Sequence, residues 1–228
     1  MHVEERLSDS DHPVIKAKAK SLIHGHEERM YQMKSIFYFV RDEIKFGFPP
    51  KWDNVKASET LTHGIGYCNT KATLFKALCD ASDIPCRIHT ALIDIRIMQG
   101  IIPKIAFSFL PDKGSHSWIE VQIDAEWKSI DSYINDRRLY DGALKKLVMS
   151  EMTSAYSISR SDGNSSCEFN FGEQGFVHMG AVTDDHGTWD DFSEYMASPK
   201  YRGMNRLQLI FYPILVKRMN QNIKRLRN

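Results

Sequence analysis

One cysteine in this chain stands where a thiol can become a nucleophile. Cys68 follows Gly64-Ile65-Gly66-Tyr67 and opens a run to Ala81 with helical spacing: Ala72, Phe75 and Cys79 share one line, Leu74, Leu78 and Ala81 another. A thiol at a helix start sits among unpaired backbone N–H groups and the positive end of the helix dipole, which favour the thiolate. Gly64 and Gly66 would let the backbone turn tightly and approach a substrate closely, and the Cys68 N–H would donate to a developing oxyanion. Such chemistry needs a base, usually an imidazole, and a third group that fixes the imidazole. His116 lies in Ser115 to Ile123, where His116, Trp118, Glu120 and Gln122 alternate with Ser117, Ile119, Val121 and Ile123 as in a strand. Asp131 ends a second strand-like run from Trp127. If Asp124-Ala125 is a two-residue turn, Ile123 pairs with Glu126, and Asp131 faces Trp118, one diagonal step from His116 on the same face. A slip of one residue would turn Asp131 away and favour Asp124 or Asp136, and Asp-Ala is a weak turn signal.

Other residues have both a chemical and a structural reading. Trp52, Tyr67 and Trp118 are candidates for the cleft wall or oxyanion site, and Trp118 and Glu120, on the face of His116, for its support; packing and surface pairing are the commoner roles of such residues in a sheet. Cys79 lies about three helical turns beyond Cys68 and reads as core. His178 and His186 are rival bases without a nameable carboxylate. The Asp184-Asp185-His186…Asp190-Asp191 cluster has hard oxygen ligands but not the alternation and glycine of a calcium loop, so it reads as a solvated acidic turn and helix start. No metal and no organic cofactor is expected.

Around these residues the pattern predicts helices from Pro13, capped by Asp11 or Ser10, and from about His26 to Ile44, with Met30, Met33, Phe37, Val40 and Ile44 at helical spacing. A short helix or turn spans Ala57 to Leu61. Pro85 separates the Cys68 helix from a β-branched strand, Arg87 to Ile97. Leu139 to Met152 reads as helix, Ser157 to Ser166 as a polar surface loop, Gly175 to Val182 as a strand, and Trp189 to Asn228 as helix that must bend or break near Pro213. Helices first and adjacent strands after them predict an α+β domain with an antiparallel sheet.

The chain has 228 residues, 42% hydrophobic and 26% charged, with a net charge of +1. That balance points to no nucleic-acid or polyacid partner. No signal-like apolar core follows Met1 and no run is long enough to span a bilayer, which predicts a cytoplasmic protein with free thiols at Cys68, Cys79, Cys86 and Cys167. The C-terminal stretch mixes Leu207, Ile210, Phe211, Ile214 and Leu215 with Lys and Arg; it reads as a helix packed on the domain, with peripheral membrane contact as the alternative.

Gly66-Tyr67-Cys68, the Ala72-x-Leu74-Phe75-x-x-Leu78 helix, Ile84-Pro85-Cys86-Arg87, His116-Ser117-Trp118-Ile119-Glu120-Val121 and Trp127-x-x-Ile130-Asp131 occur in the order of a known family. This succession, over about Met30 to Asp131, resembles the core of the transglutaminase-like superfamily. The resemblance implies a papain-like Cys-His-Asp triad of Cys68, His116 and Asp131, with the cysteine opening a buried helix packed on the sheet. Cys86 departs from it, since a small alanine-like residue is usual between that proline and arginine. The expected organisation is one domain over 1–228, with its core at about 26–135 and an unassigned elaboration at 136–228 that ends in helices. The expected activity is cysteine-dependent acyl transfer on a peptide, protein, small amide or thioester. Hydrolysis of a peptide, isopeptide or other amide bond is favoured; the alternatives are a biosynthetic acyltransferase and a non-catalytic scaffold of the same fold.

Overall fold

The computed structural model describes residues 5–160, 165–169 and 176–228. Helices α1 (Pro13–Ile23) and α2 (Arg29–Tyr38) come first, and α2 continues into a π-helical turn, Phe39–Glu43. Pro13 sits in the first turn of α1, where its missing N–H costs nothing. The cap is His12, whose Nδ1 accepts from the Val14 N–H at 3.3 Å, rather than Asp11, which pairs with Lys16. A short parallel pair, β1 (Lys45–Phe46) and β2 (Ile65–Gly66), brackets α3 (Ala57–His63) and leads into α4 (Cys68–Asp80).

The apolar lines on α4 do what their spacing predicts: Ala72, Leu74, Phe75, Ala77, Leu78 and Cys79 are fully buried in the main core. The helix packs against a four-stranded antiparallel sheet ordered β5-β4-β3-β8, made of β3 (Cys86–Asp94), β4 (Lys113–Ile123), β5 (Glu126–Ile130) and β8 (Val182–Trp189). Ile88, Ile119 and Val121 are buried in the same core. The short helix α5 (Lys104–Phe107) lies in the β3–β4 connection. Strand β3 stops at Asp94 rather than reaching Ile97, because the Asp94 carboxylate accepts the Arg96 N–H at 2.8 Å and turns Ile95–Met98 into a 3-10 turn.

Helix α6 (Arg137–Met149), capped by Asp136, precedes a hairpin of β6 (Ser154–Ala155) and β7 (Ile158–Ser159). The expected surface loop over Ser157 to Ser166 is therefore corrected: Ser157, Ile158 and Ser159 are buried, while 161–164 lie outside the described residues. Polarity misled because the Ser157 hydroxyl is satisfied internally, donating to Asn135 Oδ1 at 3.0 Å. The strand expected over Gly175 to Val182 instead begins at Val182, after a 3-10 turn at Met179–Ala181; Gly175 itself lies outside the described residues. Asp184, Asp185 and His186 are thus strand residues and not a turn, paired in part with Lys113 and His89.

The C-terminal region forms α7 (Phe192–Ala197), capped by Asp191, and α8 (Arg206–Leu226). Helix α8 runs through Pro213; the chain breaks before it, at 198–205, where an Asn205/Gln208 capping box starts the helix. Tyr212, Val216, Met219, Ile223 and Leu226 bury one stripe of α8, which holds both sides of the proline in line, while Leu207, Ile210, Phe211 and Ile214 face solvent. Among the described residues no helix is long and apolar enough to cross a membrane.

Candidate active site

Cys68 is the first residue of α4. Its position is set from below by close packing: Gly64 caps α3 at φ +66°, and a side chain at Gly66 would come within 2.7 Å of Thr70 Oγ1 and 3.0 Å of Lys71 Cγ. Gly64 is needed for its left-handed backbone and Gly66 for space under the first turn of α4. The Cys68 thiol is almost fully buried and contacts Asn69 Oδ1 at 3.5 Å. Burial pushes its pKa above the ordinary thiol range and the charge of Asp53 adds to this, against backbone N–H donors from Ser117, Asn69 and Cys68 itself. The helix start supplies its donors, as expected, but desolvation outweighs them.

His116 lies on β4 opposite Ala91 of β3 and is fully buried. Neither ring nitrogen has a hydrogen-bond partner. Burial, and next the neighbouring His178, hold its pKa well below the ordinary histidine value, so the ring is neutral. Cys68 and His116 line one cavity of about 110 Å³, together with Trp52, Tyr67 and His178.

The β4–β5 hairpin has the register read from the sequence: Ile123 pairs with Glu126 and Ile119 with Ile130, so Asp131 directly follows the last strand pair. Asp124 and Ala125 form the turn with φ of 51° and 65°. Asp131 is fully buried, and its carboxylate accepts the backbone N–H groups of Val177 (2.7 Å), His178 (2.8 Å) and Met179 (3.0 Å). The structure thus places Asp131 against the segment that carries His178, without a hydrogen bond to the His116 ring. The two sequence alternatives lie elsewhere: Asp124 is exposed in the turn, and Asp136 caps α6 and pairs with Arg227. Although burial opposes its ionisation, that guanidinium holds Asp136 below the usual carboxylate range.

The other candidates divide. Trp52 lines the cavity, stacked on Phe48 (5.9 Å) and tilted against Tyr67 (5.0 Å), and its buried Nε1 is directed at Asp53 and Tyr201 without a well-aligned hydrogen bond. Tyr67 precedes α4 and also lines the cavity. Trp118 stacks on His89 at 4.3 Å, with its ring 5.9 Å from that of His116, and its Nε1 donates to Ser129 Oγ at 3.3 Å. His186 is bonded to the Tyr195 hydroxyl and does not line the cavity. His178 does line it, with its ring 5.2 Å from that of His116. His178 Nε2 lies 2.9 Å from the Ser157 carbonyl, which can only accept, so Nε2 carries the proton and the partnerless Nδ1 is bare. All four cysteines are free thiols, and among the described residues no cluster of His, Cys, Asp or Glu could hold a metal ion.

Sequence reasoning missed a polar network beneath the nucleophile. The buried Asp53 carboxylate accepts from the Tyr67 hydroxyl, Asn69 Nδ2 (2.8 Å) and the Tyr201 hydroxyl (2.5 Å). Asn69 Oδ1 in turn accepts from Ser117 Oγ at 3.0 Å, joining the first turn of α4 to the strand that carries His116. Burial raises the Asp53 pKa while Tyr201, Tyr67, Asn69 and Trp52 pull it back. Only the side-by-side order Tyr67-Cys68-Asn69 hinted at this, since Asp53 and Tyr201 are remote in sequence.

A family model described as the transglutaminase-like superfamily core matches residues 16–132, just over half of the chain. The chain belongs to the transglutaminase-like superfamily. No curated protein matches it. Among solved structures, a proposed cysteine protease from Cytophaga hutchinsonii aligns at 17% identity with a TM-score of 0.50, covering 83% of this chain and 46% of that one. A proposed protease from Parabacteroides distasonis aligns at 13% identity and a TM-score of 0.40, covering 54% of this chain and 24% of that one. This chain thus spans less than half the length of either structure. The likeness to the Cytophaga protein is one of fold and covers 83% of this chain, and Asp53, Cys68, His116 and Asp131 all lie within the residues 16–132 that the family model matches.

Proposed function

We propose that the chain is a cysteine-dependent acyl-transfer enzyme that hydrolyses a peptide, isopeptide or other amide bond through a thioester on Cys68. The observation that carries the proposal is the cavity shared by a helix-opening thiol and a buried imidazole with both nitrogens uncommitted. Because burial keeps the thiol protonated and the imidazole neutral, the resting pair is uncharged. His116 then acts as general base as Cys68 attacks, and returns the proton to the departing amine. The amides at the start of α4 are the donors available to the oxyanion. Asp131 takes the third place: its buried charge stabilises the imidazolium formed during attack, and its carboxylate anchors the 177–179 segment that bounds the site. The description of the Cytophaga protein as a proposed cysteine protease supports this reading. The whole chain acts as one domain, and water resolves the thioester.

The test is a panel of peptide amides and acyl thioesters, with turnover measured by product release and the acyl-enzyme by intact mass and peptide mapping. Cys68→Ala should abolish both, and His116→Ala should lower the acylation rate about 10³-fold or more, the scale of losing a base that acts as a unit with its nucleophile. Turnover that survives Cys68→Ala would remove the proposal.

A further inference from the structure

The cavity beside Cys68 is lined by two unlike sets of groups. Nine buried side-chain polar atoms among the described residues lack a well-aligned hydrogen bond, and three of them face no partner around this one cavity: both nitrogens of His116 and Nδ1 of His178. Buried polar atoms are ordinarily paired, so their concentration around the thiol marks where a polar group of a ligand belongs. Most of the remaining wall is apolar, including Phe48, Ile97, Ile102, Met204, Leu215 and Met219. Most of the polar groups in that wall are already engaged, and the free donors that remain, on Arg202 and Gln208, belong to an exposed and a half-buried residue. Tyr67 is bonded to Asp53, Ser115 Oγ to the Tyr195 hydroxyl and the Arg202 N–H, and Arg202 Nη1 to the carbonyls of Pro199 and Tyr201. A charged or hydrogen-bonding substituent placed there would lose its hydration and find few free partners.

Resting on the proposed acyl-transfer function, we infer that the substrate presents an apolar side chain of about leucine or phenylalanine size on the acyl side of the scissile bond. The carbonyl lies among the polar groups, and the side chain packs on the apolar wall. The volume is of the right order for such a group: about 110 Å³ in a cleft open on one side, against about 150 Å³ for an enclosed apolar cavity that holds benzene. Met204, Leu215 and Met219 come from the region that the family model does not match, so this chain's own elaboration supplies much of the selectivity. The chemistry is unchanged: the Cys68 sulfur bonds to the carbonyl carbon, the bond to the leaving group breaks, and the leaving group departs with the proton that His116 took from the thiol.

The test uses N-acetyl amino-acid thioesters that share one aryl-thiol leaving group and differ only in side chain: Gly, Ala, Leu, Phe, Glu and Lys. Single-turnover acylation of Cys68 is read by intact mass, with Cys68→Ala as the blank. The Leu and Phe donors should acylate about tenfold or more faster than Gly, Glu and Lys, the scale set by apolar groups in a fitted pocket. Leu215→Trp, which crowds the apolar wall, should lower the Phe-to-Ala rate ratio at least about fivefold. If Cys68 is acylated with equal or greater efficiency by Glu, Lys or Gly, the inference is overturned while the acyl-transfer function stands. If no donor acylates Cys68, that function fails and the inference with it. Should Leu215→Trp not fold, the donor ranking of the unaltered chain decides alone.

Discussion

At the level of single residues, the site holds its reactive groups neutral. A Cys–His pair that rests as an ion pair reacts with small alkylating agents at a rate nearly flat with pH, whereas a thiol buried into neutrality gains reactivity only as it loses its proton. Modification of Cys68 by iodoacetamide, followed by peptide mapping, is therefore expected to rise about tenfold per pH unit from pH 6 to 9 without a plateau. A plateau near neutral pH would show that the ion pair preexists. His178 makes a second pH prediction. Burial lowers its pKa to about 4, against the upward pull of its bond to Ser157, while an unfolded histidine titrates near ~6.5. Between those values the unfolded chain binds more protons, so the neutral ring's stabilisation is full above pH 6.5 and is lost as pH falls toward 4. The loss amounts to roughly 3 kcal/mol from this group, and His116 acts in the same direction. Urea unfolding of the parent and His178→Gln at pH 7.5 and 4.5 should show a smaller acid loss in the variant; equal losses would contradict the assignment. For Asp131, three backbone N–H groups depend on one carboxylate. Asp131→Ala should cost roughly 4 kcal/mol by denaturant titration, because it leaves buried donors unpaired.

At the level of elements, the β4–β5 hairpin shows both how much can be read from sequence and where reading stops. Alternation over Ser115 to Ile123 and over Trp127 to Asp131, with only two residues left for a loop, forced the register that the structure has. The turn chemistry was not legible, since Asp124 and Ala125 both adopt the left-handed region and alanine does so at a cost. Ala125→Gly should therefore stabilise the chain by about 0.5–1 kcal/mol, the relief of strain exceeding glycine's added unfolded-state entropy. A lower denaturation midpoint in this variant would show that the strain is absent. Helix α4 was legible from its two apolar lines; Gly66 reads as a place for a tight turn and close substrate approach, whereas its place is set by space against Thr70 and Lys71. The boundaries of β3 and β8, the 157–159 segment and the passage of α8 through Pro213 were not. Each is decided by a partner distant in sequence or by a side-chain turn, which composition and spacing do not encode. The same holds for the cavity, whose apolar wall draws on Ile93 to Pro111 and Arg202 to Met219.

At the level of the whole molecule, the C-terminal helix is tied to the walls of the active site and to α6 through contacts with backbone groups, among them Tyr212 to the Pro49 carbonyl at 2.6 Å and Asn222 to the Ile101 carbonyl at 2.8 Å. Asn220 bonds both the N–H and the carbonyl of Phe48 at 2.9 Å, Arg227 reaches the Phe46 carbonyl at 2.6 Å while pairing with Asp136, and the carbonyl of Leu226 lies against Gly142 of α6. The last contact is the least forgiving. A Cβ on Gly142 would fall 1.7 Å from the Leu226 oxygen and 2.8 Å from its carbon, and both are backbone atoms, so α6 and the end of α8 must separate. Overpacking of this kind costs about 1–3 kcal/mol, which for a chain of this size lowers Tm by roughly 2–4 °C per kcal/mol. Gly142→Ala should therefore melt several degrees below the parent in scanning calorimetry. Phe48, Leu215 and Met219 all line the cavity beside Cys68. The displacement of α8 should consequently reach the substrate before it reaches the nucleophile, raising KM in the variant while the rate of Cys68 alkylation by iodoacetamide stays close to that of the parent. An unchanged melting temperature would show that the two helices are not in the contact described, and a loss of Cys68 reactivity with KM unchanged would show that α8 supports the thiol rather than the substrate wall.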